Sequence, residues 1–164
     1  MFSFVTKSRE FIGIYFLRTM KTRLVLLYCF FGSFVFAQEA EVKQTIQHFF
    51  EGFHQKDSVK MKQVCSPSLR LESIAESKTK GNQLTLETPA EFYKAIVSLP
   101  ADLRFDEHLL SYSIQVDGTM AVAWTPYEFY INGKLSHSGV NVFTLFKNNG
   151  VWTIISIIDT RRRP

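Results

Sequence analysis

Two side chains near the end of the chain have the chemistry of an acid–base pair. His137 lies in "KLSHSGVNVF", and Asp159 follows the apolar run "WTIISII". A neutral imidazole can act as a base, a hydrogen-bond donor or a metal ligand. Burial would raise the pKa of Asp159, whereas the arginines at 161–163 would lower it. We therefore take His137 and Asp159 as catalytic candidates. A hydrogen-bonded histidine and a salt bridge at a strand end are the open alternatives.

The neighbourhood of this pair contains residues suited to a binding wall. Side chains alternate along a strand, so Gly139 and Asn141 share the face of His137. Aromatic residues concentrate on the strand that contains Pro126. Most of them could instead be core, and alternation does not show which face forms a pocket. The predicted ligand-binding residues are Trp124, Tyr127, Tyr130, His137, Asn141 and Asp159.

Other catalytic and cofactor signatures are not found in the sequence. His48 and His54 are six residues apart on a predicted helix, which is too far round for a metal pair. There is no phosphate-binding loop, nucleophile elbow or dinucleotide-binding glycine pattern. Cys65 is predicted to be a small buried hydrophobic residue. We therefore predict neither a metal nor a cofactor.

Three helices are predicted to position these residues. Residues 39–56, "EAEVKQTIQHFFEGFHQK", carry an apolar stripe with a period near 3.6. Asp57 caps a short second helix, with Val59, Val64 and Cys65 directed inward. A capping box with proline at the first helical position starts a third helix at Thr88, which Pro100 ends. Its predicted buried side is formed by Phe92, Ala95, Ile96 and Leu99.

The remaining segments read as strands. Residues 69–75 and 84–87 form a short pair, and four long strands follow at 105–116, 119–130, 134–146 and 151–160. Turns "DG", "NG" and "NNG" supply the positive φ angles of tight hairpins. We predict an α+β fold, a cone-shaped curved antiparallel sheet with three N-terminal helices packed on its concave face. Pro126 predicts a bulge or bend, and the mouth of the cone is the natural ligand site.

This pattern resembles the nuclear transport factor 2-like superfamily, which includes ketosteroid isomerases and polyketide cyclases of the SnoaL type. The resemblance rests on helix order, on "IQHFFEGFHQKD" and on the closing hairpin "GKLSHSGVNVFTLFKNNGVWTIISIIDT". It implies a cone with a pocket between helices and sheet, and commonly a homodimer formed through the sheet. No residue matches the isomerase catalytic set, although Glu128 and Asp159 are carboxylates on suitable strands. Fold alone does not fix function.

The first 37 residues are predicted to be an upstream extension followed by a secretory signal peptide at about 20–37. Lys21 and Arg23 precede an apolar run that is shorter than a membrane span, and cleavage is expected after Ala37. An uncleaved anchor is the alternative. The predicted domain, 38–164, is exported to the periplasm or secreted and keeps no stable membrane span. It retains 14 basic and 14 acidic residues, without the basic stripe of a nucleic-acid-binding protein.

These observations favour an exported domain that binds a small, largely apolar molecule between helices and sheet. The first alternative is a cofactor-independent isomerase, dehydratase or cyclase that uses the same pocket. The second is a dimeric interaction module without catalysis.

Overall fold

The computed structural model describes residues 37–77 and 81–164. Residues 39–164 form one compact unit. Residues 1–36, which contain the predicted extension and nearly all of the predicted signal peptide, lie outside the described residues. Their assignment stays a prediction. Within the described ranges, no helix is both long enough and apolar enough to cross a membrane.

In the part of the chain that the structure describes, three helices precede or interrupt the strands. The described part of α1 covers 37–54, α2 covers Ser58–Gln63 and α3 covers Pro89–Val97. The Asp57 carboxylate accepts the backbone N–H groups of Val59 and Lys60 at 2.9 and 3.0 Å, which fixes the start of α2. Both hydrogen bonds of the predicted capping box form between Thr88 and Glu91 at the start of α3.

Two details of the helix prediction are wrong, although α2 and α3 begin at the predicted caps. Met61, rather than Val59, is the buried residue of α2, and 67% of Val59 is exposed. Cys65 is buried as predicted, but it opens a strand instead of closing α2. In α3 the buried residue is Tyr93, whereas Ala95 is exposed.

Among the described residues, seven strands form one sheet. They are β1 (Cys65–Glu76), β2 (Gln83–Glu87), β3 (Phe105–Leu109), β4 (Ser113–Asp117), β5 (Met120–Ile131), β6 (Lys134–Asn148) and β7 (Val151–Arg162). Their order is β2-β1-β7-β6-β5-β3, with β4 also paired to β5. The β1–β7 pair is parallel and every other pair is antiparallel. The α+β architecture with a curved, unclosed sheet is confirmed.

The predicted strand at 105–116 is divided into β3 and β4. Leu109 pairs with Tyr127 and Ser113 pairs with Trp124, so the break lies opposite Pro126. Proline has no N–H group to donate, and the ladder cannot continue regularly past it. A hydrogen bond of 2.8 Å from the N–H of Leu110 to the Pro126 carbonyl oxygen spans the break.

The side of the sheet on which α1 packs is called the inner face. Rings of α1 contact it directly: Phe50 lies 6.0 Å from Phe143, and Phe53 lies 5.0 Å from Phe105, between ring centroids. Phe92 of α3 stacks on Phe53 at 6.3 Å. A register shift between β6 and β7 leaves Ile155 unpaired. Because of that bulge, Ile154 and Ile157 are both buried on the inner face, and Asp159 follows them there.

Candidate functional site

The two catalytic candidates lie on the same face of the sheet. His137 pairs with Phe129 across β5 and β6, and its ring stacks on the Phe129 ring at 4.8 Å. Its Nδ1 atom is 3.2 Å from the hydroxyl of Ser136. Desolvation, followed by the charge of Arg161, lowers the pKa of His137, and Asp159 offsets only part of this. The imidazole is therefore neutral at pH 7.

Asp159 belongs to a hydrogen-bonded group at the end of β7. Its Oδ2 atom accepts a 2.7 Å bond from Nε of Arg161, so the salt bridge considered from the sequence is present. The Tyr127 hydroxyl donates to the Thr160 carbonyl oxygen at 2.9 Å and lies 3.3 Å from Asp159 Oδ2. Burial, then the charges of Asp159 and Glu107, raise the pKa of Tyr127, which stays a hydrogen-bond donor.

Gly139 makes this arrangement sterically possible. A Cβ atom at this position would lie 1.7 Å from the Thr160 carbonyl oxygen and 2.9 Å from Cε1 of Tyr127. The ladder is altered here, because the N–H of Val140 donates to the Thr160 hydroxyl at 3.0 Å. The Thr160 carbonyl is thereby available to Tyr127. Gly139 belongs to the closing hairpin on which the family resemblance rests, and its role is to allow close packing beside the candidate site.

A second carboxyl group, Glu107, joins the same face from the edge strand β3. The amide nitrogen of Asn141 donates to its Oε1 atom at 2.6 Å, and Asn141 is only 5% exposed. Glu107 is partly exposed, although protein surrounds most of its carboxyl group. This desolvation raises the pKa of Glu107 to about 7. The Asn141 hydrogen bond opposes the shift and the charge of Asp159 adds to it.

The α1 helix fixes the backbone of Glu107. The Glu107 N–H group donates to Nε2 of His54 at 3.0 Å, which requires that nitrogen to be unprotonated. Desolvation lowers the pKa of His54, and the charge of nearby Asp106 only partly opposes this. The edge of β3 is therefore covered by a side chain from the end of α1. Within residues 37–77 and 81–164, no group of His, Cys, Asp and Glu side chains is arranged for a metal ion.

We use the name polar cluster for Glu107, Tyr127, Asn141, Asp159 and Arg161. Three of its five members, Tyr127, Asn141 and Asp159, are among the residues predicted to bind ligand, and His137 lies beside them. The other two predicted residues are not brought to it. Trp124 is on the opposite, outer face and is 52% exposed. Tyr130 is also on the outer face, where its hydroxyl donates to Glu128 at 2.7 Å.

Sequence reasoning missed Glu107 and treated Arg161 as part of a solvated tail. A usable signal for Glu107 was present in "FDEHL", because alternation from Phe105 and Leu109 assigns the glutamate to their buried side. A charged residue at an inward strand position is uncommon and favours a functional role. For Arg161 the signal was weaker, since the length of β7 decides whether this residue is in the sheet.

Comparisons with known proteins agree with this architecture. The model of one protein family, described as "Putative lumazine-binding", matches residues 37–158, which is most of the chain. The chain belongs to this family. In this lumazine-binding-family domain, the match includes Glu107, Tyr127 and Asn141 of the polar cluster and ends before Asp159 and Arg161. A comparison with curated proteins finds no match.

Solved structures show the fold of the lumazine-binding-family domain. A nuclear transport factor 2-like protein of unknown function from Shewanella baltica is 16% identical, with a TM-score of 0.57 over 78% of this chain and 96% of that one. A protein of unknown function from Mycobacterium tuberculosis is 12% identical, with a TM-score of 0.62 over 79% and 74%. A "putative dehydratase" from Streptomyces avermitilis is 12% identical, with a TM-score of 0.58 over 76% and 96%. The predicted superfamily is confirmed.

Proposed function

We propose that this domain binds a small, planar, largely apolar molecule against the inner face, with the polar cluster as its hydrogen-bonding end. The main support for this proposal is a set of polar groups inside an otherwise apolar face. The stacked rings of Phe129 and His137 lie beside Tyr127, whose hydroxyl leads to Asp159. Ligand sites commonly combine apolar walls with a few placed polar groups.

Burial supports this location on the inner face. At one end of the sheet, Phe143, Leu145 and Ile154 have no exposed surface. At the other end, Phe129, His137 and Asp159 are only partly buried. Aromatic surface that is accessible yet flanked by polar groups suits a flat ligand, because stacking adds to the hydrophobic gain. We therefore place the pocket mouth at the partly buried end.

The family description narrows the chemistry of the ligand. Lumazine is a flat two-ring heterocycle whose edge carries alternating carbonyl and N–H groups. Such a molecule would pack against Phe129 and His137 and direct its polar edge to the cluster. A cofactor-free binding domain for a heterocycle of this kind is the function that the inner face supports best.

Native mass spectrometry and thermal shift assays test this proposal. We expect the purified domain to retain or take up a flat heterocycle, with lumazine as the first probe in a panel of apolar and aromatic compounds. Phe129→Leu should weaken binding, whereas Trp124→Leu, the same type of change on the outer face, should not. Empty protein with no thermal shift across the panel would contradict the proposal.

An enzyme that uses the same site is the second candidate. Two groups near His137 support it: Glu107 has a pKa of about 7, and Tyr127 remains a donor. A group that titrates near the working pH suits general acid–base catalysis. This candidate keeps the predicted pair, His137 and Asp159, as acid and base, with no cofactor. Exchange of substrate hydrogen with deuterated solvent, lost in His137→Gln, would distinguish an isomerase from a binding domain.

We further propose a homodimer formed through the outer face of the sheet. The same dimer would form if the domain were an interaction module without catalysis. Large apolar side chains are exposed there, among them Trp124, Leu86 and Phe146. Trp124, Val142 and Ile158 are consecutive cross-strand neighbours, so the apolar surface is continuous. Light scattering should give twice the monomer mass. Trp124→Lys should give monomers, and Val59→Lys, on exposed α2, should leave the mass unchanged.

A further inference from the structure

The Glu107–Asn141 pair carries an inference that rests on the proposed function and defines its ligand more closely. We propose that the Glu107 carboxyl recognises the edge of a planar heterocycle on which a carbonyl oxygen stands beside an N–H group. This lactam or imide edge needs one acceptor and one donor side by side. A carboxylic acid supplies both from its two oxygen atoms.

The position of Asn141 decides which oxygen has which role. Its amide nitrogen donates to Oε1 of Glu107 at 2.6 Å. Because Oε1 accepts this hydrogen bond, it is the carbonyl oxygen when Glu107 is in the acid form. The proton then belongs on Oε2, which would donate to the ligand carbonyl. Oε1 retains a second lone pair that can accept the ligand N–H. The pair is thus preset as a donor–acceptor edge.

The surroundings of Glu107 keep about half of it in the acid form at pH 7, where an exposed glutamate would be ionised. Desolvation is the main cause of a pKa of about 7, and the Asp159 carboxylate reinforces it. Arg161 of β7 and Asn141 of β6 act in the opposite direction. Tyr127 of β5 is a neutral donor, and His54 of α1 is neutral because it accepts the Glu107 N–H. Neither adds a positive charge that would ionise Glu107.

Recognition by the acid form makes binding depend on pH. With a pKa of about 7, Glu107 is about nine-tenths protonated at pH 6 and about 3% protonated at pH 8.5. Apparent affinity falls in proportion to the competent fraction, so it should fall about 30-fold between these pH values. Glutamine presents the same donor and acceptor at every pH. Glu107→Gln should therefore bind tightly at pH 8.5, where the natural protein does not.

The experiment is a fluorescence titration of the purified domain with lumazine at pH 6 and pH 8.5. The natural protein, Glu107→Gln and Glu107→Leu are compared, and 1,3-dimethyllumazine is the matched probe whose ring N–H groups are blocked. We expect the roughly 30-fold loss only in the natural protein, rescue in Glu107→Gln, and weak binding at both pH values in Glu107→Leu. Because lumazine is itself weakly acidic, any pH dependence left in Glu107→Gln measures the probe and is subtracted.

Several outcomes would overturn the inference. Equal binding of lumazine and its dimethyl form, or equal pH dependence in the natural protein and Glu107→Gln, would exclude recognition by the acid. If other apolar compounds bind on the inner face but lumazine does not, the proposed function stands and this inference fails. If no compound binds at any pH, both fail. Circular dichroism of each variant establishes that it is folded.

Discussion

Replacing Glu107 with glutamine should make the protein more stable above neutral pH, although it alters the centre of the candidate site. The Glu107 carboxyl sits where desolvation disfavours its charge, and the 2.6 Å bond from Asn141 and the charge of Arg161 compensate only in part. Glutamine keeps an oxygen for Asn141 and cannot ionise. Functional sites often retain a destabilising group of this kind, so a gain in stability would itself indicate function.

The magnitude follows from the two pKa values. The pKa of Glu107 is about 7 in the folded protein, against 4.5 for an exposed glutamate. Between those values the unfolded chain releases a proton that the folded protein keeps, so stability falls as the pH rises from 4.5 to about 7 and is constant above that range. The difference corresponds to roughly 3 kcal/mol. Glu107→Gln should thus gain up to about 3 kcal/mol at pH 8 and about nothing near pH 4.5.

Urea denaturation of both proteins between pH 4.5 and pH 8.5 measures this difference. Subtracting the two curves removes the contributions of all other titrating groups, and Glu128→Gln on the outer face controls for the change in net charge. We expect the advantage of Glu107→Gln to increase with pH and level off above pH 7. A constant difference, or a variant less stable than the natural protein at pH 8, would refute the account of Glu107.

Three other predictions concern the fold and the ends of the chain. Gly139→Ala should destabilise the protein by about 2–4 kcal/mol in urea denaturation, because the new methyl group displaces the Thr160 carbonyl and breaks its hydrogen bond to Tyr127. A loss of stability under about 0.5 kcal/mol would contradict the close approach of Gly139 to the Thr160 carbonyl. Thr88→Ala should cost about 1 kcal/mol through the lost capping box, and Thr88→Ser should restore most of it. Mass spectrometry of the exported protein from a bacterial host should give an N-terminus at Gln38, as the proposed signal peptide requires; recovery of the intact leader in the membrane fraction would favour an anchor.

Local sequence signals located most of the elements because each signal has a direct physical cause. The capping box at Thr88 and the turns that contain Gly118, Gly133 and Gly150 occur where expected, and all three glycines have positive φ. Pro126 was expected to bend its own strand, whereas the interruption opposite it, between β3 and β4, was not predicted. The most buried residue of each short helix was less accessible, since Met61 and Val59 are both apolar. In α3, Phe92, Ile96 and Leu99 pack against the core as predicted, but Tyr93 is the most buried residue.

The candidate site was predicted only in part because it depends on long-range pairing. Asn141 and Glu107 are brought together by the order of β3, β5 and β6, which alternation within a strand cannot reveal. The bulge at Ile155 moves Asp159 to the inner face, and it leaves no mark in the sequence. Trp124 and Tyr130 were included for their aromatic type, and the pleat of β5 directs both to the outer face.

The most direct test of the binding site is nitrogen-15 NMR of the domain titrated with lumazine. We expect chemical-shift changes concentrated at the inner-face positions Phe129, His137 and Asn141, with the indole resonance of outer-face Trp124 unchanged. Changes confined to the outer face, or none at saturating probe across the apolar panel, would contradict the claim that the polar cluster is the ligand-binding end of the fold.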